Sequence, residues 1–216
     1  MTKPWLAPTG LILVSFIPIV AGAARLTELT GGAVVTSENS RFFDSPIPVV
    51  THIVCATVFA LLGALQFVPA LRRRNSWHRI AGRILIPAGL LAALAGLWMA
   101  LFYPHARGFG DLTSLFRLLF GSAMVVCIVL GLRAIKRRRY IEHSEWMTRA
   151  YALAVAAGTQ ALILIPCSIV LGSTQNYPGA VLMGAAWVIN LVIAELVIRR
   201  RARAARPVTP RITAAA

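Results

Sequence analysis

Four histidines, His52, His78, His105 and His143, offer the most chemistry in this chain, because an ionisable ring in so apolar a sequence is costly and has a reason to be there. Their levels matter more than their spacing. On the helical spans derived below, His52 lies about one turn inside the outer end of the second span and His105 just past the outer end of the third. His78 and His143 lie at the inner ends of the third and fifth. At about 1.5 Å per residue, His52 and the Arg72 turn are nearly a bilayer apart, so the four divide into an outer and an inner pair. Two imidazoles from different helices can ligate one b-type haem iron from opposite faces, and stacked pairs would carry electrons across a membrane. A metal ion is the second chemistry: Glu142-His143-Ser144-Glu145 with His78 opposite offers nitrogen and oxygen ligands suited to zinc, although adjacent helical residues such as Glu142 and His143 point in different directions. The third reading is interfacial. His78 and His143 stand beside Trp77, Arg79, Arg83, Trp146 and Arg149, residue types that anchor helices at headgroup level.

Those residues sit on two turns of one design. In Gln66-Phe-Val-Pro-Ala-Leu-Arg-Arg-Arg-Asn-Ser-Trp-His-Arg79 an apolar run stops at three arginines and a second begins after Trp77-His78-Arg79. Lys136-Arg-Arg-Arg-Tyr-Ile-Glu-His-Ser-Glu-Trp-Met-Thr-Arg149 repeats the order: basic run, His and Trp, then Arg, then an apolar span. Segments this apolar must hydrogen-bond their own backbone in lipid, so they are helices, and the arginines stay in water or among headgroups.

Composition agrees. A content of 58% hydrophobic and 13% charged residues, with a mean hydropathy of +0.73, is that of a polytopic membrane protein. The net charge of +15 punctuates apolar spans instead of forming the continuous basic face that phosphate contacts need, which argues against nucleic acid as a partner. Cys55, Cys127 and Cys167 fall inside apolar spans without metal-type spacing and read as small core- or lipid-facing residues.

Apolar spans are predicted at about residues 8–26, 47–71, 80–103, 115–135, 147–171 and 179–198, each near the roughly 20 residues a crossing needs. The fold class is therefore all-α, a transmembrane bundle of about six helices over residues 1–198. Residues 199–216 form a basic, disordered tail. Ala21-Gly-Ala23 resembles a signal-peptidase site, but the lone Lys3 before it favours a retained helix. With the amino terminus inside, only Arg25, Arg41, Arg107 and Arg117 of the 22 Lys/Arg lie outside, so both termini are expected in the cytoplasm and anionic lipid headgroups are expected partners.

Pro18, Pro87 and Pro166 fall within spans and can kink them, and Ala88, Ala92 and Gly96, like Ala154 and Gly158, permit close helix contact. Gln66, Gln160 and Asn190 are expected to bond across helices, Glu195 to pair with Arg199, and Asp111 with Arg117.

Gly63-Ala-Leu-Gln66-Phe67, Trp77-His78-Arg79-Ile-Ala-Gly82-Arg83 and His143-Ser-Glu-Trp146-Met147-Thr-Arg149-Ala150 resemble a bacterial family of multi-pass membrane proteins, domain of unknown function 2306. The resemblance covers most of the chain from about His52, with a core at about 47–171. It implies a bacterial plasma-membrane protein and carries His52, Gln66, His78, Arg79, Gly82, Arg83, His143, Trp146 and Arg149 over as candidates. The paired histidines are also loosely similar to the two-haem transmembrane cytochromes that accept electrons from ascorbate. In those cytochromes the ligands lie well within the helices, whereas His78 and His105 are placed here at helix ends. The expected function is membrane electron transfer with haem b. The alternatives are a non-catalytic subunit or assembly factor that binds headgroups or a respiratory partner, and a small-solute transporter organised on the Pro87 and Pro166 kinks.

Overall fold

The computed structural model describes residues 5–72, 75–104, 111–171 and 177–205. Six helical segments are long and apolar enough to cross a membrane: Leu6–Thr30, Pro46–Leu65, Ser76–Phe102, Asp111–Lys136, Tyr140–Val170 and Pro178–Ala204. The helices are α1 (Leu6–Thr30), the short α2 (Ser40–Asp44), α3 (Pro46–Leu65), the short α4 (Pro69–Arg72), α5 (Asn75–Phe102), α6 (Asp111–Lys136), α7 (Tyr140–Ala154), α8 (Ala156–Leu171) and α9 (Tyr177–Ala204). Among the described residues no strand occurs.

Local chemistry explains where the helices begin and end. Pro46 opens α3, where its missing N–H costs nothing. The second span, expected to reach residue 71, ends at Leu65. Pro69 disfavours helical geometry in the residue before it, and the amides of Gln66, Phe67 and Val68 close tight turns onto Gly63, Ala64 and Leu65 at 3.1 Å each. The fifth span is broken at Val155 into α7 and α8, with no proline at the break, whereas Pro18, Pro87 and Pro166 lie inside helices that run on through them. Between α6 and α7 the chain reverses in three residues. Arg139 N–H bonds the Ala134 carbonyl at 2.9 Å and Arg138 N–H the Ile135 carbonyl at 3.0 Å, a Schellman closure whose left-handed residue is Arg138, with φ of 60°.

Packing is tightest between α3 and α5 and between α6 and α7, with α1 against α3 and α8, and α9 against α7 and α8. Phe59 on α3 is buried against Gly89 on α5, where a Cβ would come within 2.6 Å of the ring. A Cβ on Gly158 would lie 2.1 Å from the Val14 carbonyl oxygen, so α1 and α8 meet backbone to backbone. Ala88 and Ala92 are buried as the small-residue spacing predicts. Leu13, Phe16, Ile169, Val170 and Val188 face outward, the inversion of a water-soluble surface that a hydrocarbon solvent requires.

Candidate functional site

Five helix ends meet around the two basic turns. There Gln66 and Phe67 after α3, His78 and Arg79 of α5, Lys136 of α6, Arg138, Tyr140 and His143 of the α6–α7 hairpin and Arg201 of α9 line one cavity of about 810 Å³. The two turns thus meet, as expected. His78 and His143 lie one turn inside α5 and α7, not at bare helix ends. Each has its Nδ1 engaged. The Gln66 side-chain oxygen accepts from His78 Nδ1–H, and the Gly131 carbonyl accepts from His143 Nδ1–H at 2.8 Å. A neutral imidazole whose Nδ1 donates in this way presents Nε2 as its basic, ligating nitrogen, the arrangement in which outer hydrogen bonds orient metal-binding histidines.

The walls are apolar and aromatic, with Phe59, Phe67, Leu85, Met147 and Tyr151, while the rim carries Arg79, Lys136, Arg138 and Arg201. No Asp or Glu is among the described lining residues. Glu142, which the sequence set beside His143, pairs instead with Arg139 at 3.3 Å. Among the described residues no three His, Cys, Asp or Glu side chains converge on one point, so His78 and His143 find no third protein ligand of the kind a zinc centre needs. Gln66 Nε2 is buried and has no hydrogen-bond partner among the described residues, an unspent donor at the cavity wall.

The remaining candidates are distributed differently. Trp77, Gly82 and Arg83 do not line the cavity, and a Cβ on Gly82 would meet open space. Arg149 and Trp146 were expected as headgroup anchors. Instead Arg149 forms a two-pronged ion pair with Glu195 of α9, at 2.5 Å and 3.1 Å, and its guanidinium lies 4.8 Å from the Trp146 ring centre. This corrects the expected Glu195–Arg199 pairing: the α7–α9 packing sets a rigid, bidentate partner against the carboxylate, which the next turn of its own helix does not. Gln160 and Asn190 do bond across helices, Gln160 to the Met183 carbonyl at 3.3 Å, and Asn190 to Thr159 at 2.9 Å and the Ala152 carbonyl at 3.1 Å.

His52 stands apart from this cluster. Its Nδ1–H bonds the Ala92 carbonyl at 2.8 Å, and Gly96 makes room for the ring, since a Cβ there would come within 3.3 Å of it. It lines a second cavity, of about 490 Å³, at the far end of the bundle. His105 lies outside the described residues. Sequence reasoning missed the rest of that far end: Arg41, Tyr103 and Arg117 line the cavity with His52, and the available signal was an arginine inside the fourth apolar span. The loop there is well tied. Asn39 accepts from the Thr36 amide at 2.6 Å and donates to Glu28 at 2.6 Å, and the Tyr103 hydroxyl donates to the Ser45 carbonyl at 2.5 Å. Burial raises the Tyr103 phenol above its ordinary range. Phe59 borders both cavities.

No curated protein and no solved structure matches the chain. One family model does match, that described as "Predicted membrane protein (DUF2306)", over residues 49–198, which takes in both basic turns and the last five spans. With that match over more than half its length, and six apolar spans in its fold, the chain belongs to the DUF2306 family of multi-pass membrane proteins.

Proposed function

We propose that this integral membrane protein is an electron carrier of the bacterial inner membrane that binds b-type haem in the basic-end cavity, where His78 and His143 would hold it. The observation that carries the reading is that two histidines from different helices line one cavity, each with its Nδ1 bound to an oxygen acceptor. Three further features support it. The cavity volume lies within the range of cofactor sites. Aromatic and apolar side chains offer a surface for a flat macrocycle. The cationic rim of Arg79, Lys136, Arg138 and Arg201 suits the two carboxylates that haem b carries. Bound haem would supply reversible one-electron chemistry at its iron. This chain's part is to hold the ring, to fix the imidazole tautomers through Gln66 and the Gly131 carbonyl, and to keep the edge dry. On this reading the basic end faces the cytoplasm with both termini, and the electron partner is another membrane or respiratory component.

The same cationic rim favours a second reading, a non-catalytic subunit whose cavity holds anionic lipid headgroups. An absorption spectrum of the detergent-purified protein, expressed with haem supplied, separates the two. Sharp reduced b-type bands that disappear in His78→Ala and in His143→Ala support the haem site. A featureless spectrum from folded protein that co-purifies with anionic lipid overturns it in favour of the second reading.

A further inference from the structure

The uncharged polar side chains of the far-end cavity are arranged to accept hydrogen bonds more than to donate them. Ser15 and Tyr103 spend their hydroxyl protons on the Leu11 and Ser45 carbonyls, at 2.9 Å and 2.5 Å. Gln160 spends its Nε2 on the Met183 carbonyl at 3.3 Å, which leaves Oε1 without a bond among the described residues. His52 donates from Nδ1 to the Ala92 carbonyl at 2.8 Å, so the neutral ring keeps its lone pair on Nε2, which also has no bond among the described residues. The Thr57 and Ser114 hydroxyls can take either role. Of the two cations on the lining, Arg41 donates to the Pro104 carbonyl and lies over the Phe42 ring, and Arg117 borders the cavity from an exposed position. Ile19, Ile53, Leu97, Met124 and Trp187 are among the apolar residues that line the rest.

The two free acceptors stand at different depths. His52 lies six residues into α3 from Pro46, about 9 Å by helical rise, and Gln160 eleven residues before the far end of α8 at Leu171, about 16 Å. Both levels fall within the hydrocarbon thickness of a bilayer. An acceptor in an apolar cavity is costly to leave unpaired, so the ligand that suits this one carries two hydroxyl donors at separated points of an apolar body. We propose that the cavity binds a lipid-soluble quinol, one ring hydroxyl donating to His52 Nε2 and the opposite hydroxyl to Gln160 Oε1, with the ring and its tail against the apolar lining. The oxidised quinone has carbonyls that only accept, so it sets acceptor against acceptor and binds less well. The proposal concerns binding alone. The site shares only Phe59 with the basic-end cavity and does not depend on haem there.

The redox state of the ligand provides the test. Full-length protein in non-ionic detergent, kept anaerobic, is titrated calorimetrically with decylubiquinol, with decylubiquinone and with the dimethyl ether of the quinol. The expected result is saturable binding of the quinol, tighter by about tenfold or more than that of the quinone or the dimethyl ether. His52→Leu and Gln160→Met should each weaken quinol binding by about tenfold and leave quinone binding within about twofold, so the lost preference is read apart from any general damage. His52→Leu also removes the bond to Ala92; if that variant does not fold, Gln160→Met and the ligand comparison on the parent protein decide. Haem content should not alter the preference, which keeps this outcome separate from the haem reading. The proposal is overturned if the quinone or the dimethyl ether binds as tightly as the quinol, or if folded variants keep the parent's preference. Absence of saturable quinol binding to the folded parent protein overturns it as well.

Discussion

Glu195 on α9 accepts two hydrogen bonds from Arg149 on α7, a forked pair joining two membrane spans near the basic end of the bundle. The Arg149 side chain is 20% exposed and that of Glu195 37%, so the pair lies between a surface bridge and a buried one. Removing one partner, as in Glu195→Ala, should cost on the order of 1–3 kcal/mol, because the other charge is left half-buried. The double variant Arg149→Met with Glu195→Met should recover much of that loss. Thermal unfolding of the four proteins in detergent gives the coupling directly, and additive losses would rule the pair out as a structural unit.

Arg138 sits at the left-handed residue of the α6–α7 closure, where glycine is the usual occupant, and its side chain lines the basic-end cavity. A non-glycine residue there costs about 1–2 kcal/mol. Strain kept at a cavity rim points to a use for the guanidinium. Arg138→Gly should therefore raise the melting temperature and, on the proposed function, weaken retention of haem. A variant less stable than the parent would show that the side chain matters more to the fold than to the rim.

Gly158 permits α1 and α8 to touch through backbone. Gly158→Val puts a carbon in severe overlap with the Val14 carbonyl oxygen, and a backbone atom cannot swing aside as a side chain does. The expected loss is about 1–3 kcal/mol or more, with α1 displaced from the bundle and exposed to proteolysis. Gly82→Ala is the matched control, since nothing lies within 4 Å of the added carbon.

Gln66 accepts from His78 and so orients its ring, which on the proposed function makes it a positioning residue for haem. Gln66→Leu keeps the volume and removes the acceptor, so haem occupancy should fall about tenfold or more while the helical content stays unchanged. Gln66→Glu, which keeps an acceptor, should hold haem and shift its midpoint potential. Titration of haem into the purified variants measures the first, and a redox titration of the loaded protein the second.

Orientation can be read with reporters. An alkaline phosphatase fused after Val35 should be active and one fused after Arg139 inactive, if the basic end faces the cytoplasm. The reverse pattern would invert the topology and, on the proposed function, the side from which electrons arrive.

The six spans were legible because lipid leaves a hydrophobic run no alternative to the helix. The breaks were not. Gln66-Phe67-Val68 is nearly as apolar as the helix before it, and only the proline that follows betrays its end. Val155 carries no sequence mark of the break that separates α7 from α8. The meeting of the two basic turns followed from their shared composition, and Gln66, His78, Arg79 and His143 from them line one cavity. Glu195 was misassigned because spacing along one helix is visible in a sequence and the partner on another helix is not. The far-end site was missed for the same reason: Arg41, Tyr103 and Arg117 come from three separate segments and share no pattern.

Phe59 is the common wall of both cavities, packed against Gly89 and Tyr151. The two linings share no other described residue, so the volume of this one side chain stands between the two spaces, and Phe59→Ala is expected to join them.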